Sequence, residues 1–239
     1  MSGPARGTAF GIGVGPGDPE LMTLKGARIL SETAVVAYPA PDNGDSLARA
    51  IAAPHLRAEA MEIAIRIPMS GDRFPIEAVY DRAAAAIGEH LSEGRDVAIL
   101  CEGDPFFYGS FMYLFARLAD RWPVEVIPGV SSLTACAAAT DTALAALTDV
   151  LTVLPGPLPD TVLRARLAET DAAAIIKVGR HLPRIRALLT EMGLAQNARY
   201  VERATMDHER VSPLDDVGDD ANAPYFSMIL VHKRGTAWA

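Results

Sequence analysis

The sequence predicts an α/β protein of two domains, and three features of its 239 residues carry that expectation. Short β-rich runs alternate with longer segments of helical periodicity. The run DVAILC at 96–101 is apolar almost throughout, as a strand buried on both faces of a parallel sheet requires. Five strand-like runs precede residue 141, enough for one complete sheet, and further runs follow. A boundary near 141–149 is expected, giving an N-terminal α/β domain over 1–141 and a C-terminal α/β domain over 142–239.

Thr8–Val14 reads as the first strand, running into a Gly/Pro turn. A helix at Leu24–Ser31 and a short strand at Val35–Ala37 follow. Ser46 is placed to cap a helix that reaches Ile51, and Glu62–Ile67 alternates as a strand does. Pro75–Glu93 has helical spacing and stops at Gly94. After the buried run come a helix at Phe111–Ala119, a strand at Val124–Ile127 and a small-residue helix at Ser131–Thr140. In the second half, strands are expected at Val150–Leu154, Ala174–Val178, Arg199–Val201 and Phe226–Val231, with helices at Thr161–Ala168 and Leu182–Met192. The acidic stretch Asp215–Asp220 reads as a solvated loop.

Composition narrows the function. With 22 basic and 30 acidic side chains the formal charge is −8, the wrong balance for a general nucleic-acid binder. No apolar stretch approaches the ~18 residues of a membrane span, and the N-terminus lacks the apolar core of a secretory signal. A cytoplasmic protein with no nucleic-acid or membrane partner is expected. Cys101 and Cys136 lie in apolar surroundings without metal-ligand spacing and read as buried thiols. The five histidines are scattered, and Asp207-His208-Glu209 has no second histidine at ligand spacing, so no metal site is expected.

Three glycine-rich turns follow strands. The first, Gly11-Ile12-Gly13-Val14-Gly15-Pro16-Gly17-Asp18-Pro19, fails the dinucleotide spacing: the third glycine would fall on Pro16 or Asp18. It is no phosphate loop either, since no Gly-Lys-Ser/Thr follows. The second, Glu102-Gly103-Asp104-Pro105, leaves the buried strand; Asp104 is placed either to cap the next helix or to accept hydrogen bonds from a ligand. The third is Pro128-Gly129-Val130-Ser131-Ser132. Each alone reads equally as a tight turn or a helix cap. If the strands run parallel, all three fall at one sheet edge, where open α/β sheets bind small molecules.

In this order GVGPGDPELMTLKG (13–26), EGDPFFYG (102–109) and PGVSS (128–132) resemble the tetrapyrrole methylase family, and the similarity runs on to YFSMILVHK at Tyr225–Lys233. The resemblance implies two α/β domains with the cofactor in the cleft between them, in a homodimer. It implies S-adenosylmethionine as methyl donor and carbon atoms of corrin and sirohaem precursors as acceptors. Carried over motif by motif, cofactor contacts fall on Pro16, on Glu102, Gly103, Asp104 and Phe107, and on Ser131 and Ser132. In the second domain they fall on Val178, where many relatives have methionine, and Ala204, where many have glycine. Tyr38-Pro39, Ser46, Ala48-Arg49, Ile51 and Ile67-Pro68-Met69 with Asp72 are similar to the branch that methylates C20 of precorrin-2, although Ile67 replaces its usual phenylalanine.

Methyl transfer from a sulfonium to an electron-rich carbon needs alignment more than a protein nucleophile or a metal. Loss of the C20 proton needs a base that the sequence does not identify. A polycarboxylate such as precorrin-2 also needs cations gathered locally: Arg180 and Arg203 are the substrate-binding candidates, with Arg184, Lys25 and Arg28 behind them. Alternatives are the cobalt-loaded analogue, another macrocycle position, RNA or protein methylation on the same fold, and a nicotinamide or flavin oxidoreductase that the failed glycine spacing disfavours.

Overall fold

In the computed structural model, residues 6–68, 76–218, 223–235 and 237 are described, and the chain divides into two compact units, Met1–Ser131 and Ser132–Ala239. The first holds β1 (Ala9–Gly13), β2 (Val35–Pro41), β3 (Met61–Ile67), β4 (Val97–Cys101) and β5 (Val124–Ile127) in the order β3-β2-β4-β1-β5. All its strand pairs are parallel. Such a sheet needs cover on both faces, and the strand sequences supply apolar residues to each. Helices α1 (Leu24–Glu32) and α2 (Leu47–Ala52) pack on the face of Ile12, Val36, Ala98 and Leu100. Helices α3 (Ile76–Ser92) and α4 (Phe111–Leu118) cover Val35, Ala37, Val97 and Ile99. The Ser46 hydroxyl caps α2 by accepting from the Arg49 N–H at 3.2 Å, and α3 is followed by Gly94 at φ 78°.

The second strand is longer than its sequence suggests. It pairs with β3 from Val35↔Met61 to Pro41↔Ile67, but with β4 only as far as Ala37↔Ile99. Beyond Ala37 one side of β2 is open, which is where a strand tolerates Pro39 and Pro41. The Pro39 carbonyl accepts from the Ser46 hydroxyl at 2.5 Å instead of from a strand partner.

The second unit opens with α5 (Ser132–Ala139) and holds β6 (Leu151–Pro155), β7 (Ala172–Ile176), β8 (Ala198–Glu202), β9 (Arg210–Pro213) and β10 (Ser227–His232) in the order β6-β7-β10-β8-β9. Here β6 and β7 are parallel, and β10 runs antiparallel between β7 and β8. Helices α6 (Asp160–Glu169) and α7 (Leu182–Glu191) bury Leu163, Leu167, Ile185 and Leu189 against Ala173, Ile175 and Ile229. On the opposite face α5 sets Ala135 and Cys136 against Ala174, Met228 and Leu230. The division therefore falls between Ser131 and Ser132, not near 141, because the small residues of α5 are buried by the second sheet.

The edge strand β9 was not expected: R-V-S-P is short, polar and ends in proline, and its pairing with β8 is tertiary. The expected acidic loop starts as a short 3₁₀ turn at Leu214–Asp216 with Leu214 fully buried. Met69, Asp72, Pro75, Asp219 and Asp220 lie outside the described residues.

Candidate active site

Parallel pairing brings the carboxyl ends of β4, β1 and β5 side by side, so the three glycine turns emerge together. They are also bonded to one another. The Gly103 N–H donates to the Gly15 carbonyl at 2.8 Å, and the Gly15 N–H returns the bond to Gly103 at 3.3 Å. The Val14 N–H donates to Cys101 O at 3.0 Å. The Gly129 N–H donates to Asp104 Oδ2 at 3.1 Å, joining the third turn to the second.

The approach is closer than any side chain permits. A Cβ at Gly129 would stand 2.1 Å from Gly103 O and 2.8 Å from Gly13 Cα. A Cβ at Gly13 would stand 2.6 Å from both Gly103 O and Gly129 Cα. At these two positions glycine is required for contact between turns. Gly103 itself needs the left-handed region, at φ 63°.

Asp104 acts as the staple of this edge. Its Oδ1 accepts from the Phe106 N–H at 2.9 Å and the Phe107 N–H at 3.1 Å, and its Oδ2 holds Gly129. It does not cap the next helix, whose N-cap position is Ser110; it caps the turn that leaves β4 and adds a cross-link to the third turn. Pro16 is buried; Glu102, Gly103, Phe107 and Ser131 are half-buried. Burial pushes the Glu102 carboxyl up, against backbone hydrogen bonds that include the Ala48 N–H of α2. Phe107 meets Tyr108 edge-on at 5.2 Å. Tyr108 takes φ 56°, an uncommon conformation for an aromatic residue and a constraint the sequence did not signal.

The remaining assigned residues belong to the second unit, where Ser132 is exposed at the start of α5. Val178 follows β7 and Ala204 follows β8, and both strands end beside the start of β10, so the two share one sheet edge. The Arg203 N–H donates to Phe226 O at 2.9 Å there. Both side chains turn inward: Val178 packs with Leu182 and Ile185, and Ala204 with Cys136 and Met228. What they contribute at the surface is backbone. That backbone is left-handed at Lys177 (φ 55°), Arg203 (φ 49°) and Thr205 (φ 67°). A third exit, at Gly156 after β6, was missed although Pro155-Gly156-Pro157 marks a turn; its N–H donates to Ile176 O at 2.7 Å.

The candidate cations separate into two groups. Arg184 is committed to Asp160 and to the Gly156 carbonyl and braces the β6 exit. Lys25 pairs with Glu125 and Arg28 with Glu32; they line a hollow with Arg95 and Asp96, at the edge opposite the glycine turns. Arg180 is exposed with no carboxylate partner among the described residues, and exposed Arg203 stands 4.0 Å from Glu202. Cys101 and Cys136 are buried, their thiols pushed up to about 11 and about 12 by desolvation. Among the described residues no three His, Cys, Asp or Glu side chains cluster as metal ligands, and no helix is long and apolar enough to cross a membrane.

A family model for Tetrapyrrole (Corrin/Porphyrin) Methylases matches residues 9–217. The chain is 42% identical over 239 residues to a precorrin-2 C(20)-methyltransferase of Sinorhizobium sp, covering 97% of each. It is 45% identical over 235 residues to the cobalamin biosynthesis protein CobIJ of Mycobacterium tuberculosis, covering 95% of this chain but 46% of that one, so it spans about half the length of this relative. Among solved structures it is similar to a uroporphyrin III C-methyltransferase from Thermus thermophilus, with TM-score 0.71, 25% identity and coverage of 95% and 98%.

Proposed function

The chain belongs to the tetrapyrrole methylase family, and on that premise we propose that it transfers a methyl group from S-adenosylmethionine to C20 of precorrin-2, giving precorrin-3A in cobalamin biosynthesis. The observation that carries the reading is the bonded edge of three glycine turns, which holds Pro16, Glu102, Gly103, Asp104, Phe107 and Ser131 in one rigid frame. The assigned cofactor contacts are these residues with Ser132, Val178 and Ala204.

The groups at this edge suit such a donor. Glu102 offers a carboxylate to a cationic sulfonium or an amino group, Phe107 an aromatic surface, and the turns fixed backbone donors and acceptors. When bound, S-adenosylmethionine supplies an already activated electrophilic methyl. The protein's task is then to hold acceptor carbon, methyl and sulfur in line, and orientation of this kind is worth roughly 7–11 kcal/mol in favourable systems. A frame in which each turn is bonded to its neighbour keeps that alignment without reorganising. Arg180 and Arg203 are the proposed contacts to substrate carboxylates. The reading includes a cytoplasmic homodimer with no nucleic-acid or membrane partner. Exposed Phe106, Tyr108, Met112 and Tyr113 on the first unit favour a protein contact there.

The deciding experiment incubates the protein with precorrin-2 and S-adenosylmethionine under anaerobic conditions. Mass spectrometry and NMR should find one added methyl, located at C20. Methylation at another carbon, or only of the cobalt-loaded macrocycle, would replace this substrate assignment. Sedimentation tests the dimer.

A further inference from the structure

Tyr38, Ser46, Ala48 and Arg49 have no task among the assigned cofactor contacts, yet all four belong to one bonded group that ends on Glu102. Side chains alternate along a strand and keep their face across a parallel pair. Val36 and Tyr38 of β2 and Glu62 of β3 therefore share the face that α2 covers. In β4, Ala98 and Leu100 look toward α2 while Cys101 looks toward α3, so Glu102 continues the alternation on the α2 side. Helix α2 and Glu102 thus meet on one side of the sheet, at its carboxyl end.

A helix of six residues cannot hold its own place, and α2 is fixed from outside. Ala48, Ile51 and Ala52 are buried in the apolar cluster of that face. The Ser46 hydroxyl donates to Pro39 O at 2.5 Å and accepts from the Arg49 N–H at 3.2 Å. The Arg49 guanidinium grips Glu62 with two arms of its fork, Nε to Oε2 at 3.2 Å and Nη2 to Oε1 at 2.8 Å. The Tyr38 hydroxyl donates to the same Oε2 at 2.7 Å. Arg49 first, then Tyr38, hold the Glu62 carboxyl below the ordinary carboxylate range, so the clasp is ionised at neutral pH. The next residue back along the helix, Ala48, gives its N–H to Glu102. A two-point guanidinium–carboxylate contact fixes direction as well as distance. The fork that orients α2 therefore also aims the N–H that holds Glu102. The side chains of Arg49 and Glu62 are 40% and 31% exposed, so water screens the pair and its worth to global stability is small. What it supplies is orientation.

We propose that Arg49, clasped by Glu62 and Tyr38, is a positioning residue for Glu102, and that through α2 it sets the carboxyl assigned to the methyl donor. This rests on the reading of Glu102 as a contact to S-adenosylmethionine. It gives residues of β2, α2 and β3 a task in the transfer, at one remove from the reacting atoms.

The test is a double-mutant cycle in the full chain, read as S-adenosylmethionine affinity by calorimetry. Arg49→Met should weaken binding about three- to tenfold, with Arg49→Lys between it and wild type and Tyr38→Phe losing about twofold. In a Glu102→Ala background, where no carboxyl is left to place, Arg49→Met should change affinity by less than about twofold. The melting temperature should move by only a few degrees at each step. With precorrin-2, kcat/KM for the donor should fall while KM for the macrocycle stays within about twofold. Unchanged donor affinity in Arg49→Met, with a lowered melting temperature, overturns the proposal and leaves the clasp a brace of the fold. Additive losses in the cycle overturn it too, because Arg49 would then act independently of Glu102. If Arg49→Met does not fold, Arg49→Lys and Tyr38→Phe in the same cycle decide. Coupling as expected in a protein that never methylates C20 would defeat the substrate assignment and leave the clasp standing. A wild type that binds no S-adenosylmethionine would defeat both.

Discussion

The two sheet edges that carry the assigned residues are made by opposite means. In the first unit, Gly13, Gly103 and Gly129 touch backbone to backbone, and the absence of side chains is what lets three turns lock together. In the second, Lys177, Arg203 and Thr205 adopt the left-handed conformation although each bears a Cβ. The first edge is rigid because of what its residues lack. The second is held by its surroundings, since Val178 and Ala204 beside those strained positions are buried in two different apolar clusters. Rigidity built from glycine is intolerant of any addition, whereas rigidity imposed by packing is relieved by making the strained residue smaller.

The largest expected effect follows from that contrast. Gly129→Ala should cost about 3 kcal/mol or more in urea unfolding and abolish measurable S-adenosylmethionine binding, because the clash is with backbone that has nowhere to move. A folded, fully active Gly129→Ala protein would mean the turns are not locked as described. Next, Asp104→Asn should lose stability and cofactor affinity together, by about 1–3 kcal/mol and roughly tenfold, since an amide nitrogen cannot accept from an N–H. Calorimetry that finds affinity lost without stability would move Asp104 from staple to direct ligand contact.

Smaller effects separate the units further. In the second unit Asp149 is held down to about 2, first by the Ala146 N–H and then by Arg234, with His232 adding to the effect. A folded-state value below the unfolded one gives stability that is present above the ordinary carboxylate range and is lost as pH falls from about 4 toward about 2. Asp149→Asn should flatten thermal stability across that window, read by circular dichroism melts. Glu102 in the first unit has the opposite sign. Burial raises its carboxyl, so wild-type stability declines as pH rises through the ordinary carboxylate range, and Glu102→Gln should melt slightly higher than wild type at pH 8 but not at pH 4. Smallest of all, Lys177→Gly should be neutral or stabilise by up to about 1 kcal/mol, as relief of the left-handed strain offsets the added freedom of the unfolded chain.

Much of the first unit was legible. The strand at Val124–Ile127, the helices from Leu24 and Phe111, and the Ser46 cap follow from periodicity and capping chemistry. The overhanging half of β2 was not, because Tyr38-Pro39-Ala40-Pro41 is a strand only where one neighbour is missing. Nor was the unit boundary: α5 has small residues on all sides, and only the burial of Ala135 and Cys136 against β10 decides which sheet owns it. Lys177 and Arg203 carry no local sign of positive φ. Arg184 looked as available as Arg180 on its helix until Asp160 and Gly156 were seen to occupy it.

The sequence alone determined the alternating α/β character of the first unit, the family and the residues of the three turns, because strand periodicity and glycine spacing are local properties that survive in a string of letters. Only the tertiary structure decided that these glycines serve one another, that Asp104 binds the third turn, and which arginines keep an unspent charge. Those are relations between segments far apart in the chain, fixed by sheet order and close packing, and no single stretch of sequence contains them.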